Sequence, residues 1–163
     1  MKMMFRSPNL NDLDQIMAIE NQGFSIDEAA TREAMIERIQ KIADSFILVE
    51  SKEKILGYVV GPVISERYLY DELFEETVPN PKTGGYQSIL SLVVASDYRN
   101  QGLASQLLKQ LEKLSQKNQR QGITLTCLED LIPFYEQNGY QNEGISTSQH
   151  ANEIWFNLVK EFY

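Results

Sequence analysis

The stretch from Ser88 to Ala104, SILSLVVASDYRNQGLA, constrains the fold most, because it joins an apolar segment to a helical one through a glycine-containing turn. Its first half is rich in β-branched residues and is followed by the turn formers Ser96 and Asp97, which predicts a buried strand from Tyr86 to Val94. Leucines then recur at helical spacing, at positions 103, 107, 108, 111 and 114. The stretch therefore predicts a strand, a turn and a helix in that order.

The turn that opens this helix has the features of a phosphate-binding site. The first amide N–H groups of a helix have no partner within the helix, and together with the macrodipole they attract anions. Gly102 lacks the β-carbon that would hold a phosphate away, Ala104 keeps the next turn narrow, and Arg99 adds a positive charge. The spacing fits neither the dinucleotide-binding pattern Gly-x-Gly-x-x-Gly nor the nucleotide P-loop.

A second motif, LIPFYEQNGY, runs from Leu131 to Tyr140 and follows the strand-like segment ITLTCL. Glu129 or Asp130 is placed to cap a short helix, and Pro133 is compatible with a first helical turn. Gly139 supplies the left-handed residue that commonly ends a helix. The motif therefore predicts one more short helix after a strand.

In this order the two motifs resemble those of the GCN5-related N-acetyltransferase (GNAT) superfamily, and Ile-Pro-Phe-Tyr is similar to its arylalkylamine N-acetyltransferase branch. The resemblance covers most of the chain from Phe46 onward. It implies one domain over residues 1–163 with a mixed α/β (α+β) sheet, about seven strands and about four to five helices. It also implies that the central strands splay apart, so that CoA enters edge-on.

The resemblance implies acetyl-CoA as the cosubstrate and assigns two sets of residues. Tyr135 faces the CoA sulfur, where a phenol can donate a proton to the departing thiolate. Main-chain groups of the strand bind the pantetheine and the turn binds the pyrophosphate. The predicted cofactor-binding residues are Leu92, Val93, Val94, Arg99, Asn100, Gln101, Gly102, Leu103, Ala104 and Ser105.

The chain departs from the arylalkylamine branch in the base that deprotonates the acceptor amine. That branch carries two histidines at the positions of Ser88 and Leu90, and neither of these residues accepts a proton from an ammonium. His150, the single histidine, lies in the last polar turn and is predicted at the surface. Deprotonation through ordered water held by Ser88 and Ser91, or in bulk solvent, stays open. Tyr135 and Ser88 are therefore the candidate catalytic residues.

Three further residues have weaker claims to chemistry. The single cysteine, Cys127, excludes an internal disulfide and a multi-cysteine metal site, so we expect no metal. Because it lies on a predicted strand, Cys127 is interpreted as a buried apolar residue and not as a nucleophile. Glu20 and Glu129 are candidate carboxylates, but no pattern places either beside the acceptor.

The charge of the chain limits the classes of partner that it can bind. A net charge of −8 argues against a nucleic-acid or anionic-membrane partner, since such affinity comes from clustered Lys and Arg. Residues 66–76 contain five acidic residues and Arg67, which makes this segment suited to a cationic substrate. It belongs to a longer connection, from Ser65 to Gly85, that we predict to be a short helix and a mobile loop over the acceptor site.

The predicted function is transfer of acetyl from acetyl-CoA to a primary amine, an arylalkylamine or a polyamine. Two alternatives stay open: acetylation of a protein N-terminus or lysine, and a non-catalytic CoA-binding regulatory module that has lost its base. A homodimer also stays open. No apolar run approaches the ~20 residues of a membrane span, and MKMMFRSPNL lacks the apolar core of a signal peptide, so we expect a cytoplasmic protein.

Two helices are predicted before the sheet. Asn11 is expected to cap the first. The capping-box pattern Ser25-x-x-Glu28 is expected to open the second. Strands are expected at Phe46–Glu50 and Ile55–Val63, with Gly61-Pro62 ending regular pairing because proline has no N–H for the ladder.

Overall fold

Nine strands and four α-helices form in the part of the chain that this computed structural model describes, residues 2–148 and 150–163. The helices are α1 (Leu13–Gly23), α2 (Arg32–Lys41), α3 (Leu103–Lys117) and α4 (Ile132–Gln137). The strands are β1 (Met4–Arg6), β2 (Phe46–Ser51), β3 (Lys54–Val60), β4 (Val63–Ile64), β5 (Tyr86–Ile89), β6 (Ser91–Val94), β7 (Gly122–Cys127), β8 (Gln141–Ile145) and β9 (Phe156–Glu161).

The strands form two sheets that separate in the middle of the molecule. The first has the order β1-β2-β3-β6 and is antiparallel throughout. The second has the order β4-β5-β7-β9-β8, and within it β5 and β7 are parallel. Since β5 and β6 are consecutive in the chain but lie in different sheets, the sheets diverge between β6 and β7. The splayed, mixed α/β architecture predicted from the sequence is confirmed.

Two predicted strands are each broken in two, which accounts for nine strands in place of about seven. The predicted strand Ile55–Val63 is interrupted at Gly61-Pro62, where proline cannot donate to a ladder. Opposite this break, Leu90 interrupts the predicted strand Tyr86–Val94. The amide of Leu90 donates to Val60 O at 2.8 Å, whereas the amide of Ser88 donates to Pro62 O at 3.0 Å. The two breaks face each other, and both sheets end there.

Helices cover the two faces of the first sheet. On one face α1 and α2 bury Ile16, Met35 and Ile39 against Phe46 and Tyr58. On the other face α3 buries its leucine stripe, Leu103, Leu107, Leu108 and Leu111, and this core continues under the second sheet. Each fully buried leucine stabilises the fold by about 1.5–3 kcal/mol, so α3 holds the two sheets together.

The starts of α1 and α2 differ from the predictions. Asn9, and not Asn11, caps the short 3₁₀ turn before α1, because its side chain accepts from the amide of Asn11. The Ser25-x-x-Glu28 pattern forms only a local turn, in which the Ser25 amide donates to Glu28 Oε1 at 3.1 Å. Thr31 caps α2 instead, through its hydroxyl and the amide of Ala34. The sequence pattern of a capping box can therefore occur in a local turn as well as at the start of a helix.

The long connection between β4 and β5 contains one short 3₁₀ helix, Asp71–Phe74. It is anchored across the molecule, since Arg67 pairs with Glu143 of β8 at 2.6 Å and Ser148 Oγ donates to Asp71 at 2.5 Å. These contacts place the connection beside the β8–β9 connection. Its mobility stays a prediction.

None of the helices in the described residues combines the length and the apolar character that a membrane span requires.

The facing breaks make a sharp test of the fold. A β-carbon built on Gly61 would lie 2.1 Å from Ser88 O and 2.5 Å from Ser88 C, both backbone atoms that cannot move independently. We expect Gly61→Ala to lower the free energy of unfolding by at least about 1–3 kcal/mol, the usual cost of overpacking. Denaturant titration measures this difference. An unchanged midpoint would contradict the close approach of the two breaks.

Candidate active site

The turn before α3 is shaped by two residues in the left-handed region. Asn100 has φ +64° and Gly102 has φ +80°, and Gly102 is the N-cap of α3. A residue with a β-carbon is strained at such a φ, so glycine at 102 is required by the backbone itself. Room for a phosphate, the reason predicted from the sequence, stays a prediction; a β-carbon at this position would have no neighbour within 4 Å and would project into open space.

A cavity of about 390 Å³, here called the turn cavity, lies at this N-terminus. Eight of the ten predicted cofactor-binding residues line it: Leu92, Val94, Arg99, Asn100, Gly102, Leu103, Ala104 and Ser105. The side chain of Val93 instead packs into the core beneath α1, since successive side chains of a strand point to opposite faces. Gln101 is exposed and does not line the cavity. The exposed Arg99 donates from Nε to Val94 O at 3.1 Å, which fixes the turn to the end of β6.

A smaller space of about 140 Å³, the junction cavity, follows between the diverging strands. It shares Leu92, Leu131 and Tyr135 with the turn cavity. Leu90 of the strand break and Cys127 of β7 also line it. Aromatic residues from three connections, Phe24, Phe74 and Trp155, complete it.

Two ionisable groups at the junction stay protonated at neutral pH. Tyr135 is 6% exposed, and burial raises the pKa of its phenol above the ordinary value. Burial also raises the pKa of Cys127 to about 12, so this residue is a thiol and not a nucleophilic thiolate. Cys127 therefore fits the predicted buried apolar role, and Tyr135 keeps the proton that an acid must carry.

A third space of about 500 Å³, the acidic cavity, adjoins the junction cavity on the side of α1 and α2. The two cavities share Glu28, Phe74, Leu90 and His150. Five carboxylates line the acidic cavity: Glu20, Asp27, Glu28, Asp71 and Glu75. Arg38 and Ser91 lie at its base.

A buried polar cluster forms that base. Glu20 accepts hydrogen bonds from Tyr58 Oη at 2.5 Å, from the Ala30 amide at 2.8 Å and from Ser91 Oγ at 3.2 Å. Arg38 donates from Nη1 to the same Ser91 oxygen at 3.4 Å, and within the described residues its buried Nε has no partner. Burial lowers the pKa of Arg38, but a guanidinium stays charged in proteins. Glu20, whose place the sequence left open, is thus fixed at the cavity base by α1.

The structure places the remaining predicted residues outside this series of cavities. Ser88, a candidate catalytic residue, is fully buried, and its hydroxyl donates to Pro62 O at 2.5 Å. It lines none of the three cavities, because its side chain is turned toward the Pro62 carbonyl, whereas Ser91 of β6 lines the acidic cavity. Glu129 is exposed and also lies outside them.

His150 lies at a different place from the one predicted from the sequence. It was predicted at the surface, yet it is half-buried and lines both the junction cavity and the acidic cavity. Its ring stacks on Phe74, with centroids 4.9 Å apart and planes at 13°. No short-range sequence pattern predicts the position of His150. That position depends on how the β8–β9 connection folds back over Phe74, which precedes His150 by more than seventy residues.

Comparison with known proteins identifies the architecture. A sequence model described as an acetyltransferase (GNAT) domain matches residues 43–142, which is more than half of the chain. The chain belongs to the GNAT acetyltransferase family. No curated protein matches the chain in sequence.

Solved structures agree with the GNAT fold. The loading GNATL domain of CurA from Lyngbya majuscula has a TM-score of 0.82 at 16% identity, over 99% of this chain and 98% of that one. The NatC complex bound to Gag peptide and CoA has a TM-score of 0.77 at 16% identity, over 100% of both chains. The ribosomal-protein-S18-alanine N-acetyltransferase from Escherichia coli has a TM-score of 0.72 at 14% identity, over 98% and 94%. At these identities the likeness concerns the fold alone.

The turn cavity of this GNAT chain can be tested with paired variants at one position. Gly102→Ala and Gly102→Glu carry the same backbone strain, about 1–2 kcal/mol, because both add a β-carbon at φ +80°. Only glutamate adds bulk and negative charge where a phosphate would approach the amides. We expect calorimetry to show CoA binding lost in Gly102→Glu and retained in Gly102→Ala. Equal affinity in the two folded variants would mean that the turn is only a connection.

Proposed function

We propose that the protein transfers an acetyl group from acetyl-CoA to the nitrogen of a small primary amine. The observation that carries the proposal is that the three cavities adjoin in a row and share lining residues. Leu92, Leu131 and Tyr135 join the turn cavity to the junction cavity, and Glu28, Phe74, Leu90 and His150 join the junction cavity to the acidic cavity. An anchored thioester can therefore reach an amine held on the far side.

The proposal assigns the cofactor to the turn cavity and β6. The pyrophosphate binds the free amides at the start of α3, where the macrodipole favours an anion. The pantetheine runs along β6, which ends the first sheet in the described residues and so has one edge not paired with a strand. A thioester and an amine held at a fixed separation react with a smaller loss of entropy, which lowers the barrier to acetyl transfer.

Tyr135 is the proposed proton donor to the departing CoA thiolate. Its position at the boundary of the turn and junction cavities is where a thioester bound along β6 would end. Edge contacts with Phe134 and Tyr140, at centroid distances of 5.1 and 5.6 Å, hold the ring in place. Because its pKa is raised by burial, the phenol is fully protonated before the thiolate forms.

The acceptor side favours a cation with an aromatic or extended apolar part. Five carboxylates against Arg38 give the acidic cavity an attraction for an ammonium. Phe24, Phe74 and Trp155 offer aromatic faces at the junction, and such faces bind both rings and cations. These features support an arylalkylamine, as the Ile-Pro-Phe-Tyr motif predicts, or a polyamine.

Acetylation of a protein N-terminus is the second candidate, since the NatC structure is described with a bound peptide. Contacts across the rim of the acidic cavity favour the smaller substrate. Ser148 Oγ donates to Asp71, and His150 Nε2 lies 3.3 Å from Glu28 O. The β8–β9 connection is thus tied to both other walls of the cavity. An extended chain would have to displace these contacts, whereas a small amine would not.

A screen of acceptors tests the proposal. Acetyl-CoA is incubated with arylalkylamines, polyamines, lysine and N-terminal peptides, and free thiol is measured with an amine-free control. We expect turnover with a small amine that exceeds turnover with every peptide. Peptide preference would move the function to the second candidate. CoA binding without turnover of any acceptor would favour the non-catalytic module.

Replacement of Tyr135 by phenylalanine keeps the ring and deletes the proton. We expect Tyr135→Phe to lower kcat by roughly tenfold to a thousandfold, since the missing interaction belongs to the transition state. CoA affinity and Tm should stay close to those of the parent, because the ring packing is retained. Loss of stability with unchanged kcat would show that Tyr135 is a packing residue and that water protonates the thiolate.

The acidic residues of the 3₁₀ helix region divide into two pairs, which gives a matched control. Asp71 and Glu75 line the acidic cavity, whereas Glu72 and Glu76 line a separate space beneath the same connection. We expect Asp71→Asn with Glu75→Gln to raise the KM for the amine by roughly twofold to thirtyfold, as two exposed charges allow.

The control is Glu72→Gln with Glu76→Gln, which removes the same net charge from the neighbouring space. Initial-rate kinetics should show its amine KM within error of the parent, and the KM for acetyl-CoA unchanged in both double variants. Equal effects of the two pairs would show that only long-range charge matters and that the amine does not bind beside Asp71 and Glu75.

A further inference from the structure

We propose that His150 is the general base that removes the proton from the acceptor ammonium. This inference rests on the proposed function and names the base, which the sequence left open. His150 borders both the junction cavity and the acidic cavity, so it lies where an amine entering from the carboxylate side meets the thioester. It reaches this place from the β8–β9 connection and not from β5 or β6.

Two aromatic side chains hold the ring. Phe74 stacks on one face, and Trp155 packs at a centroid distance of 5.8 Å. The backbone is fixed too, because Trp155 Nε1 donates to His150 O at 2.7 Å and the His150 amide donates to Ser148 Oγ at 3.3 Å. A base positioned in this way loses little freedom when the substrate binds.

The contact with Glu28 selects the tautomer. Nε2 of His150 lies 3.3 Å from the carbonyl oxygen of Glu28, which can only accept a hydrogen bond. In the neutral imidazole Nε2 is therefore the protonated nitrogen, and Nδ1 carries the lone pair that accepts a proton.

Three other groups at the site, Glu20, Cys127 and Tyr135, are poorer bases. The carboxylate of Glu20 already accepts from Tyr58, Ser91 and the Ala30 amide. Cys127 and Tyr135 hold their own protons because burial raises the pKa of each. The titratable and charged groups that face His150 across the two cavities are Glu20, Asp27, Glu28, Arg38, Asp71, Glu75, Cys127 and Tyr135.

The proton and electron balance of the step is complete. The ammonium N–H bond breaks, its proton goes to Nδ1 of His150, and the electron pair stays on the amine nitrogen. That pair forms the N–C bond to the thioester carbonyl, and the C–S bond then breaks with its electrons on sulfur. The second amine proton passes to solvent as the amide forms, and the thiolate takes one proton from Tyr135. The imidazolium of His150 then gives its proton to solvent and the Tyr135 phenolate takes one back, so that each turnover releases one proton.

The pH dependence of kcat/KM distinguishes a base from a packing residue. We expect His150→Gln to lower kcat/KM by roughly a hundredfold or more near pH 7, the usual contribution of general-base catalysis. The loss should shrink as pH rises toward the pKa of the amine, where neutral amine is supplied by the solution. Added imidazole should restore part of the activity of His150→Ala, and both variants should bind CoA as the parent does.

Glu153→Gln is the matched control, because it changes an exposed side chain of the same connection that lines none of the three cavities and keeps the imidazole; the pH profile of its kcat/KM should match that of the parent. A second measurement needs no variant. His150 is the single histidine of the chain, so imidazole modification by diethyl pyrocarbonate reports on this residue alone. Modification should abolish turnover, and hydroxylamine should restore it.

Two results would overturn the assignment while the proposed function stands: a loss in His150→Gln that is equal at every pH and is not rescued by imidazole, or full histidine modification without loss of turnover. Absence of turnover by the parent with every amine would instead overturn the proposed function, and the role of His150 with it.

Discussion

The rest of the structure depends on the exchange of hydrogen-bond partners where Gly61-Pro62 faces Leu90. Before this point the Ser88 amide donates to Pro62 O, and after it the Leu90 amide donates to Val60 O. Proline supplies no donor to continue the ladder, and Gly61 lets the two backbones approach more closely than any β-carbon allows. One sheet therefore becomes two, and the space between β6 and β7 is the consequence. A continuous sheet would have filled this space with paired strands.

The residues of the candidate site lie around that opening, and a different turn or helix positions each group of them. The left-handed Gly102 turns the chain out of β6 and starts α3, which exposes free amides at one end of the opening. Pro133 begins α4 and brings Tyr135 to the middle. The connections before α2, before β5 and before β9 close the far end with carboxylates and aromatic rings. Buried Leu107 and Leu111 of α3 keep the two sheets in a fixed relation while no ladder joins them at β6 and β7.

The parts that could be predicted from the sequence are those with short-range causes. The leucine stripe of α3, the turn at Gly102, the stop at Gly139 and the break at Gly61-Pro62 each follow from a few adjacent residues, and eight of ten predicted cofactor residues gather at one cavity. The capping pattern at Ser25 failed because a local turn, with the Glu28 amide donating to Ser25 O, accommodates the bond from the Ser25 amide to the Glu28 carboxylate without a helix. Ser88 and His150 were misplaced for a longer-range reason. The exchange of partners turns Ser88 toward Pro62, and the return of the β8–β9 connection carries His150 inward, and both depend on residues distant in sequence.

The central claim is that three adjoining cavities form one path from the turn at Gly102 to the carboxylates beside His150. A crystal structure with a conjugate that links CoA covalently to a small amine measures this most directly. The account predicts pyrophosphate at the amides that begin α3, sulfur beside Tyr135, and the amine nitrogen in the acidic cavity within hydrogen-bond reach of the His150 ring. An amine half that lies outside the acidic cavity, or a pyrophosphate away from the Gly102 turn, would contradict it.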